Sequence, residues 1–355
     1  MSDTLGFGIA GCGMIAAYHA EAIEDIDGAE VVATWDIAED SARELAEKHD
    51  VDWYTDYDAF IGRGDLDVVN VCGPSGTHGP TGVPAAEAGK HLIVEKPLEI
   101  TLDKCDRLIS AAEDAGTKLA VIFQSRFKDD ARLAKDAVEG DKLGDLVYAE
   151  ATVKWFRAQE YYDTSEWKGT WELDGGGALM NQAIHAIDQL QWLAGDPEQV
   201  SAYCAALAHE RIEVEDTATA SLRFKNGALG SVTAMTSAYP GYAKRIELYG
   251  TEGSIVLEDD ELVRWNFRDE SEKDSQIKER IQKAAEEDEE AMGAASASAG
   301  MTSEFHRREI EDVIEAIRGD GVPAISGKEG RKSVELIRGI YRSAEAGEPV
   351  TFPLG

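Results

Sequence analysis

The sequence predicts an α/β Rossmann domain followed by an α+β domain with an open, mainly antiparallel sheet. Three observations predict it. Strand-like and helix-like runs alternate over the first 123 residues, as a parallel doubly wound sheet requires. A GxGxxA turn joins the first strand to the first helix. After about Phe123, strands follow one another without intervening helices, which implies antiparallel or mixed pairing. The 355 residues suit two domains, 1–123 and 124–355.

The first strand covers residues 5–10 and the first helix 15–26. Between them runs Gly11-Cys12-Gly13-Met14-Ile15-Ala16. Gly11 permits the tight turn, Gly13 lets the backbone approach a pyrophosphate, and Ala16 lets the helix lie close to the sheet. The helix amino terminus, with Met14 and Ile15, then faces the phosphates. A second strand spans 30–34, and Asp36 stands 20 residues beyond Ala16. An acid there accepts hydrogen bonds from a ribose and repels a 2′-phosphate. No arginine follows until Arg43, so the expected cofactor is NAD rather than NADP. The alternation continues with a strand at 66–72, a helix at 81–88, a strand at 91–94, a helix at 102–115 and a strand at 118–123. Ligands sit at the carboxyl ends of such strands. That rule puts Pro74, Ser75, His78 and Glu95 beside the cofactor and aims Lys96 into the crevice.

Strands of the second domain are expected at 146–156, 200–207, 217–224, 228–236, 245–249 and 254–257, with Asn226-Gly227 as a hairpin turn. Gly175-Gly176-Gly177 releases a helix on which Asn181, His185 and Asp188 share one face at spacings of four and three. His185 reads either as a satisfied histidine beside Asp188 or as a catalytic group. One sheet face takes this helix and the other needs cover from a second subunit, which implies a homodimer or homotetramer. Residues 269–300 form an acidic insertion, densely charged and then small-residued, read as a solvated helix and a loop that orders as a lid or interface, or else as disorder. Amphipathic helices at 304–318 and 329–346 close the chain.

There are 69 acidic and 35 basic residues, a formal net charge of -34. A field of that sign excludes nucleic acid and anionic membranes as partners. Acids spread over the whole chain suggest a halophile's molar-salt cytoplasm, where the Debye length falls to about 3 Å; the alternative is an acidic mesophilic enzyme. Cys12, Cys72, Cys105 and Cys204 show no CxxC spacing and read as buried thiols of a reducing compartment, with neither a disulfide framework nor a metal site. No leader-like start and no apolar run of roughly 20 residues is evident, so the expected location is cytoplasmic.

Gly11-x-Gly13-x-x-Ala16-x-x-His19, Glu95-Lys96-Pro97, and the glycine run leading to His185 and Asp188 together resemble the Gfo/Idh/MocA oxidoreductases over nearly the whole chain. The resemblance implies a Rossmann domain joined to an open-sheet domain, Lys96 and His185 as the catalytic pair, and a cis bond between Lys96 and Pro97. Asn181 departs from the inositol dehydrogenase pattern, which has aspartate there. An amide cannot relay a proton, so Asn181 is expected to bind a substrate hydroxyl. The segment containing Trp155, Arg157, Tyr161, Tyr162, Trp167 and Trp171 resembles nucleotide-sugar oxidases acting at the sugar 3-hydroxyl; its aromatics either stack on sugar or fill the core. Gln124 and Arg126 resemble residues that touch substrate or nicotinamide. The implied reaction is NAD-dependent oxidation of a secondary hydroxyl of a sugar, polyol or nucleotide-sugar, or its reverse, with His185 as base and Lys96 assisting. Two alternatives stay open, a redox-neutral NAD-dependent glycoside hydrolase and a non-catalytic NAD-binding regulator.

Overall fold

The computed structural model describes residues 4–291 and 302–354. The chain divides into two compact units. The first comprises the residues up to Gln124, with Ser165–Asn181 and Thr302–Glu335. The second comprises Ser125–Thr164, the described residues of 182–301 and those from Leu336. The sequence reading placed everything after 123 in one domain, whereas compactness assigns two later segments to the first unit.

The first unit holds β1 (Leu5–Ala10), α1 (Met14–Glu24), β2 (Ala29–Trp35), α2 (Glu39–His49), β3 (Asp52–Tyr54), α3 (Tyr57–Ile61), β4 (Val68–Val71), α4 (His78–Glu87), β5 (His91–Val94), α5 (Leu102–Ala115) and β6 (Leu119–Val121). Its six strands run in the order β3-β2-β1-β4-β5-β6, all parallel. Chain order reverses beside β1, so the β1 and β4 carboxyl ends frame the crevice where ligands bind. Phe7, Val68, Ile93 and Ile122 form the core on one side with Ile23 of α1. Ile310, Val313 and Ile314 of the helix Glu304–Arg318 complete that cluster. Glu309 on the same helix accepts the Phe123 backbone N–H at 3.1 Å. These contacts explain why a late helix belongs to the first unit. Further along the same face Ala16 and Ala20 of α1 pack with Ile9, Leu45 and Cys72, a close approach that small side chains permit.

Ser165–Asn181 forms a strap on this unit. Gly76 donates to the Leu173 carbonyl at 2.8 Å, and a Cβ on Gly76 would stand 2.2 Å from the Glu172 oxygen. Gly175 has φ +75°, and a Cβ there would meet Ile100 at 2.4 Å. Glycine is required at both positions by close approach, and at Gly175 also by the left-handed backbone.

The second unit adds α6 (Asp129–Glu139), β7 (Leu146–Lys154), α7 (Glu160–Asp163), α8 (Ile184–Ala194), β8 (Pro197–Ala205), β9 (Thr217–Phe224), β10 (Leu229–Met235), β11 (Arg245–Gly250), β12 (Gly253–Glu258), β13 (Glu261–Phe267), α9 (Glu272–Ala291) and β14 (Val350–Thr351). Its eight strands run β13-β12-β11-β7-β10-β9-β8-β14. Only β7 and β10 pair in parallel. Gly227 turns β9 into β10 at φ +91°, as the Asn-Gly signal predicts. Helix α8 packs against β7 and β11. Alternation along β9 buries Ala218, Ala220, Leu222 and Phe224 and exposes the residues between them. The acidic insertion is helical over α9; residues 292–300 lie outside the described residues.

Helices α2, α3, α6 and α7 and strands β3, β13 and β14 escape the sequence reading. Helix α6 buries only alanines, Ala131, Ala134 and Ala137, so no large apolar stripe marks it. Strand β13 interleaves Glu261, Arg264 and Asn266 with its buried residues and has no Gly or Pro boundary before it. Among the described residues the cysteines are unpaired; Cys72 and Cys105 are buried, but Cys12 and Cys204 are only half-buried. No described helix is long and apolar enough to cross a membrane.

The strap contact gives a direct expectation. Gly175→Ala lowers stability by roughly 1–3 kcal/mol, because the methyl group must displace Ile100. Urea denaturation of the two proteins checks this; superimposable curves would contradict it.

Candidate active site

The turn after β1 keeps the form the sequence predicts. Gly11 has φ +96°, and a Cβ on it would lie 2.6 Å from the Gly73 nitrogen. Gly13 caps α1 without a side-chain hydrogen bond, and no acid stands in the first turn. A Cβ on Gly13 would meet nothing within 4 Å, so its open side is available to a ligand. The amino terminus of α1 thus presents uncapped N–H groups to an anion. Asp36 ends β2, and its Oδ2 accepts the Cys12 N–H at 2.7 Å while Oδ1 accepts the Ala38 N–H at 2.8 Å. The carboxylate keeps further lone pairs for a diol. Burial first, and then the Asp36 charge, pushes the Cys12 thiol up to about 12. Met14 and Ile37 are 76% and 85% exposed beside this turn, an apolar rim of the kind a planar base covers. Ile15 is half-buried on the first turn of α1. These features fit a dinucleotide.

Pro74 and Ser75 open the short 3₁₀ turn after β4. His78 is buried, with Nδ1 2.8 Å from the Pro97 carbonyl and Nε2 3.0 Å from the Gly73 carbonyl. Both ring nitrogens therefore brace the protein's own loops, β4 to α4 and β5 to α5.

Lys96 follows β5, and its bond to Pro97 is cis. Its Nζ donates to the Asn181 carbonyl at 3.0 Å. Burial pulls the ammonium below its ordinary pKa, while Glu95 and Asp174 act to raise it. Glu95 is buried; Oε2 accepts the Lys96 N–H at 3.2 Å, and Oε1 lies 3.0 Å from His19 Nε2. Asn70 donates to His19 Nδ1 at 2.8 Å, so the proton of a neutral ring sits on Nε2 and is given to Glu95. Burial likewise lowers the pKa of His19, consistent with that neutral form. Burial opposes the charge of Glu95, yet His19 and His306, the latter 3.7 Å away, hold its carboxyl well below the usual range. The ring and carboxylate atoms of His19, Glu95 and His306 lie within 4.8 Å of one another, a buried cluster that no sequence spacing revealed.

The strap brings Asp174 to this corner, a residue that sequence reasoning missed. Asp174 is 1% exposed. Its Oδ2 accepts the Gly169 N–H at 2.8 Å, and Oδ1 accepts from Asn181 Nδ2. Burial outweighs these bonds and the Lys96 charge and lifts its carboxyl to about 6. The signal in the sequence was an acid directly before a glycine run. Asn181 thus binds a carboxylate with its amide, at the position where inositol dehydrogenases are expected to carry one.

The helix bearing His185 opens as a π-helical turn, Ala178–Ala183, rather than as an α-helix, and the chain passes from the first unit to the second within it; such turns recur at functional sites. His185 is half-buried on the first turn of α8. Asp188 accepts a bidentate pair from Arg126, Nε to Oδ2 at 2.7 Å and Nη2 to Oδ1 at 2.6 Å. The Arg126 guanidinium, expected to touch substrate, is 7% exposed and also packs on Trp192 at 5.5 Å. Arg157 lies over Trp155 and Tyr161, 5.2 and 5.5 Å from their ring centres, and donates to Gln182 Oε1 at 2.8 Å. Gln182 in turn donates to the Tyr161 hydroxyl at 2.9 Å. The aromatic segment is thus divided: Trp155 and Arg157 belong to the second unit, Trp167 and Trp171 to the first. Trp167 is half-buried and Trp171 exposed. Gln124, in the first unit, has a buried Oε1 with no hydrogen-bond partner among the described residues.

Comparison with known proteins matches two stretches of the chain to one family. Residues 5–123 match the oxidoreductase family with an NAD-binding Rossmann fold, and residues 131–256 match the GFO/IDH/MocA C-terminal domain. Myo-inositol 2-dehydrogenase of Thermotoga maritima is 33% identical over 256 residues, 71% of this chain and 74% of that protein. Inositol 2-dehydrogenase of Rhizobium meliloti is 26% identical, covering 73% of this chain and 77% of that protein. The WlbA dehydrogenase from Bordetella pertussis, solved with NADH and UDP-GlcNAcA, is 33% identical with a TM-score of 0.89, covering 99% of both chains.

The buried Arg126–Asp188 pair carries its own expectation. Arg126→Ala leaves a carboxylate buried without its guanidinium and costs about 3–5 kcal/mol of stability. Denaturant titration measures this, and an unchanged midpoint would show that the pair contributes nothing.

Proposed function

We infer the reaction from one premise: this chain belongs to the GFO/IDH/MocA oxidoreductase family. It is an NAD-binding enzyme of a family whose members act on sugars, polyols and nucleotide-linked sugars. We propose that this chain oxidises a secondary hydroxyl of a nucleotide-linked sugar, or runs the reverse reduction. Among solved relatives that cover 99% of this chain, the one holding UDP-GlcNAcA is 33% identical and the levoglucosan dehydrogenase 24%, which favours the nucleotide-linked class.

The observation that carries this reading is Lys96, a half-buried amine at the carboxyl end of β5 with its direction fixed by the Asn181 carbonyl. Residues of the first unit that would hold NAD are Gly11, Gly13, Met14, Ile15 and Asp36, with Pro74 and Ser75 at the next strand end. Bound NAD supplies the hydride acceptor. Asp36 receives the ribose hydroxyls, and the uncapped amino terminus of α1 receives the pyrophosphate. As the hydroxyl proton leaves, negative charge grows on the substrate oxygen, and the Lys96 ammonium stabilises this alkoxide character before the carbon gives up its hydride. His185 takes the hydroxyl proton; imidazole suits transfer near neutral pH. Arg157, flanked by Trp155 and Tyr161, offers a cation to a substrate phosphate or carboxylate. Trp171 offers an exposed face to a sugar ring, and Gln124 offers a buried acceptor.

Turnover and cofactor binding each test part of this reading. UDP-sugars, free sugars and inositols are supplied one at a time with NAD, and NADH absorbance is followed. A UDP-sugar gives the highest kcat/KM, and Lys96→Ala or His185→Ala lowers it by about 10²–10⁴-fold; full activity in either variant would remove that residue from the proposed chemistry. Asp36→Ala weakens NAD binding roughly tenfold and narrows the preference over NADP, as calorimetry with each cofactor reads out. An unchanged affinity for both would take Asp36 out of the ribose site.

A further inference from the structure

The strap Ser165–Asn181 reaches the Lys96 corner through Asp174 and Asn181, and Asp174 has no role in the reaction described so far. Asp174 is buried, with one oxygen fixed by the Gly169 N–H and the other by the Asn181 amide. The same asparagine turns its backbone carbonyl to Lys96 Nζ. A single residue therefore couples the carboxylate and the amine, side chain to one and main chain to the other. Asp174 is followed by Gly175 and Gly176, with φ of +75° and +159°. Gly175 lies against Ile100, four residues after Lys96. Backbone contact on both sides of Asp174 leaves its side chain little freedom to turn elsewhere.

We propose that Asp174 is the positioning residue of Lys96: it fixes the Asn181 amide so that the Asn181 carbonyl accepts from the lysine, and it supplies a buried negative charge that the ammonium faces. The charged groups around Asp174 are Lys96 and Lys168, and those around Lys96 are Glu95 and Asp174. Glu95 is already held by His19 and by the Lys96 N–H, so its charge stays constant over the working range. Asp174 is different, because burial lifts its carboxyl to about 6. Its charge is present at neutral pH and is lost as the medium acidifies, so the field on Lys96 depends on a group outside the substrate contacts. Opposite charge favours the ammonium, and removing that charge lets the amine lose its proton more readily.

The proposal deepens the role given to Lys96 and rests on that reading only for its effect on turnover. Its test reads the amine itself. Trace acetylation of the full-length protein across the alkaline range, with the Lys96 peptide followed by mass spectrometry, gives the titration of Lys96 directly. Asp174→Asn keeps the shape and removes the charge; the Lys96 titration then moves down by about one pH unit. Asp174→Glu restores the charge and titrates with the wild type. Should the asparagine variant not fold, Asp174→Ser removes the charge with a smaller side chain and carries the same expectation. A Lys96 titration that coincides in wild type and the charge-removed variant would overturn the proposal, even if Lys96→Ala abolishes the dehydrogenase. A shifted titration alongside a fully active Lys96→Ala would instead keep the coupling and remove the catalytic role.

Discussion

One buried carboxylate, Glu95, holds the Lys96 corner of the first unit together. It stands at the carboxyl end of β5, where the parallel sheet directs its ligands. One of its oxygens meets His19 from α1, which is itself bonded to Asn70 of β4. His306 from the closing helix faces the same oxygen at 3.7 Å. The other oxygen accepts the backbone N–H of Lys96. Two strands and two helices, one of them more than 200 residues later in the chain, thus meet at a single charge. Removing a charge from such a network leaves its partners buried and unsatisfied, a cost larger than the energy of any one bond. The neutral tautomer of His19 is set by its two partners, and the direction of the Lys96 backbone is set by Glu95.

The strap works by a different physical means. Its apolar burial is concentrated at its end, in Ala178, Leu179 and Met180. Close backbone approach at Gly76 and Gly175 lays it on the first unit, and this places Asp174 and the Asn181 carbonyl where Lys96 meets them. A glycine run can be read as a helix breaker; here it is also a spacing device. The π-helical turn Ala178–Ala183 carries the chain from the strap to α8. An extra residue in one turn rotates the helix beyond it, so the face shared by Asn181, His185 and Asp188 in an ideal α-helix is not preserved as drawn.

Much of this fold was legible in the sequence. The GxGxxA turn, Asp36 and the alternation of strands and helices specify a parallel sheet because each depends on local geometry. Asn226-Gly227 fixes its hairpin for the same reason. Other features were hidden because their cause is not local. Helix α6 is held by alanines against neighbours distant in sequence. The return of Thr302–Glu335 to the first unit is decided by the Ile310, Val313 and Ile314 contacts with Phe7, Val68 and Ile93. Within the site, Lys96 and His185 stood out by motif. Asp174 did not, since an acid beside glycines reads as a loop until its partners are known. Arg126 read as a residue that touches substrate or nicotinamide, and the structure pairs it with a buried carboxylate, Asp188, on α8. His78 read as a cofactor neighbour, and its ring nitrogens hold two loops.

The central claim is that Lys96 meets the oxygen of the hydroxyl whose carbon gives up the hydride. The most direct measurement is a crystal structure of this protein with NADH and a UDP-sugar. The account predicts Lys96 Nζ within hydrogen-bond distance of the reacting hydroxyl, about 2.7–3.2 Å. A sugar whose reacting hydroxyl is met by other side chains, with Lys96 still turned only to the Asn181 carbonyl, would contradict it.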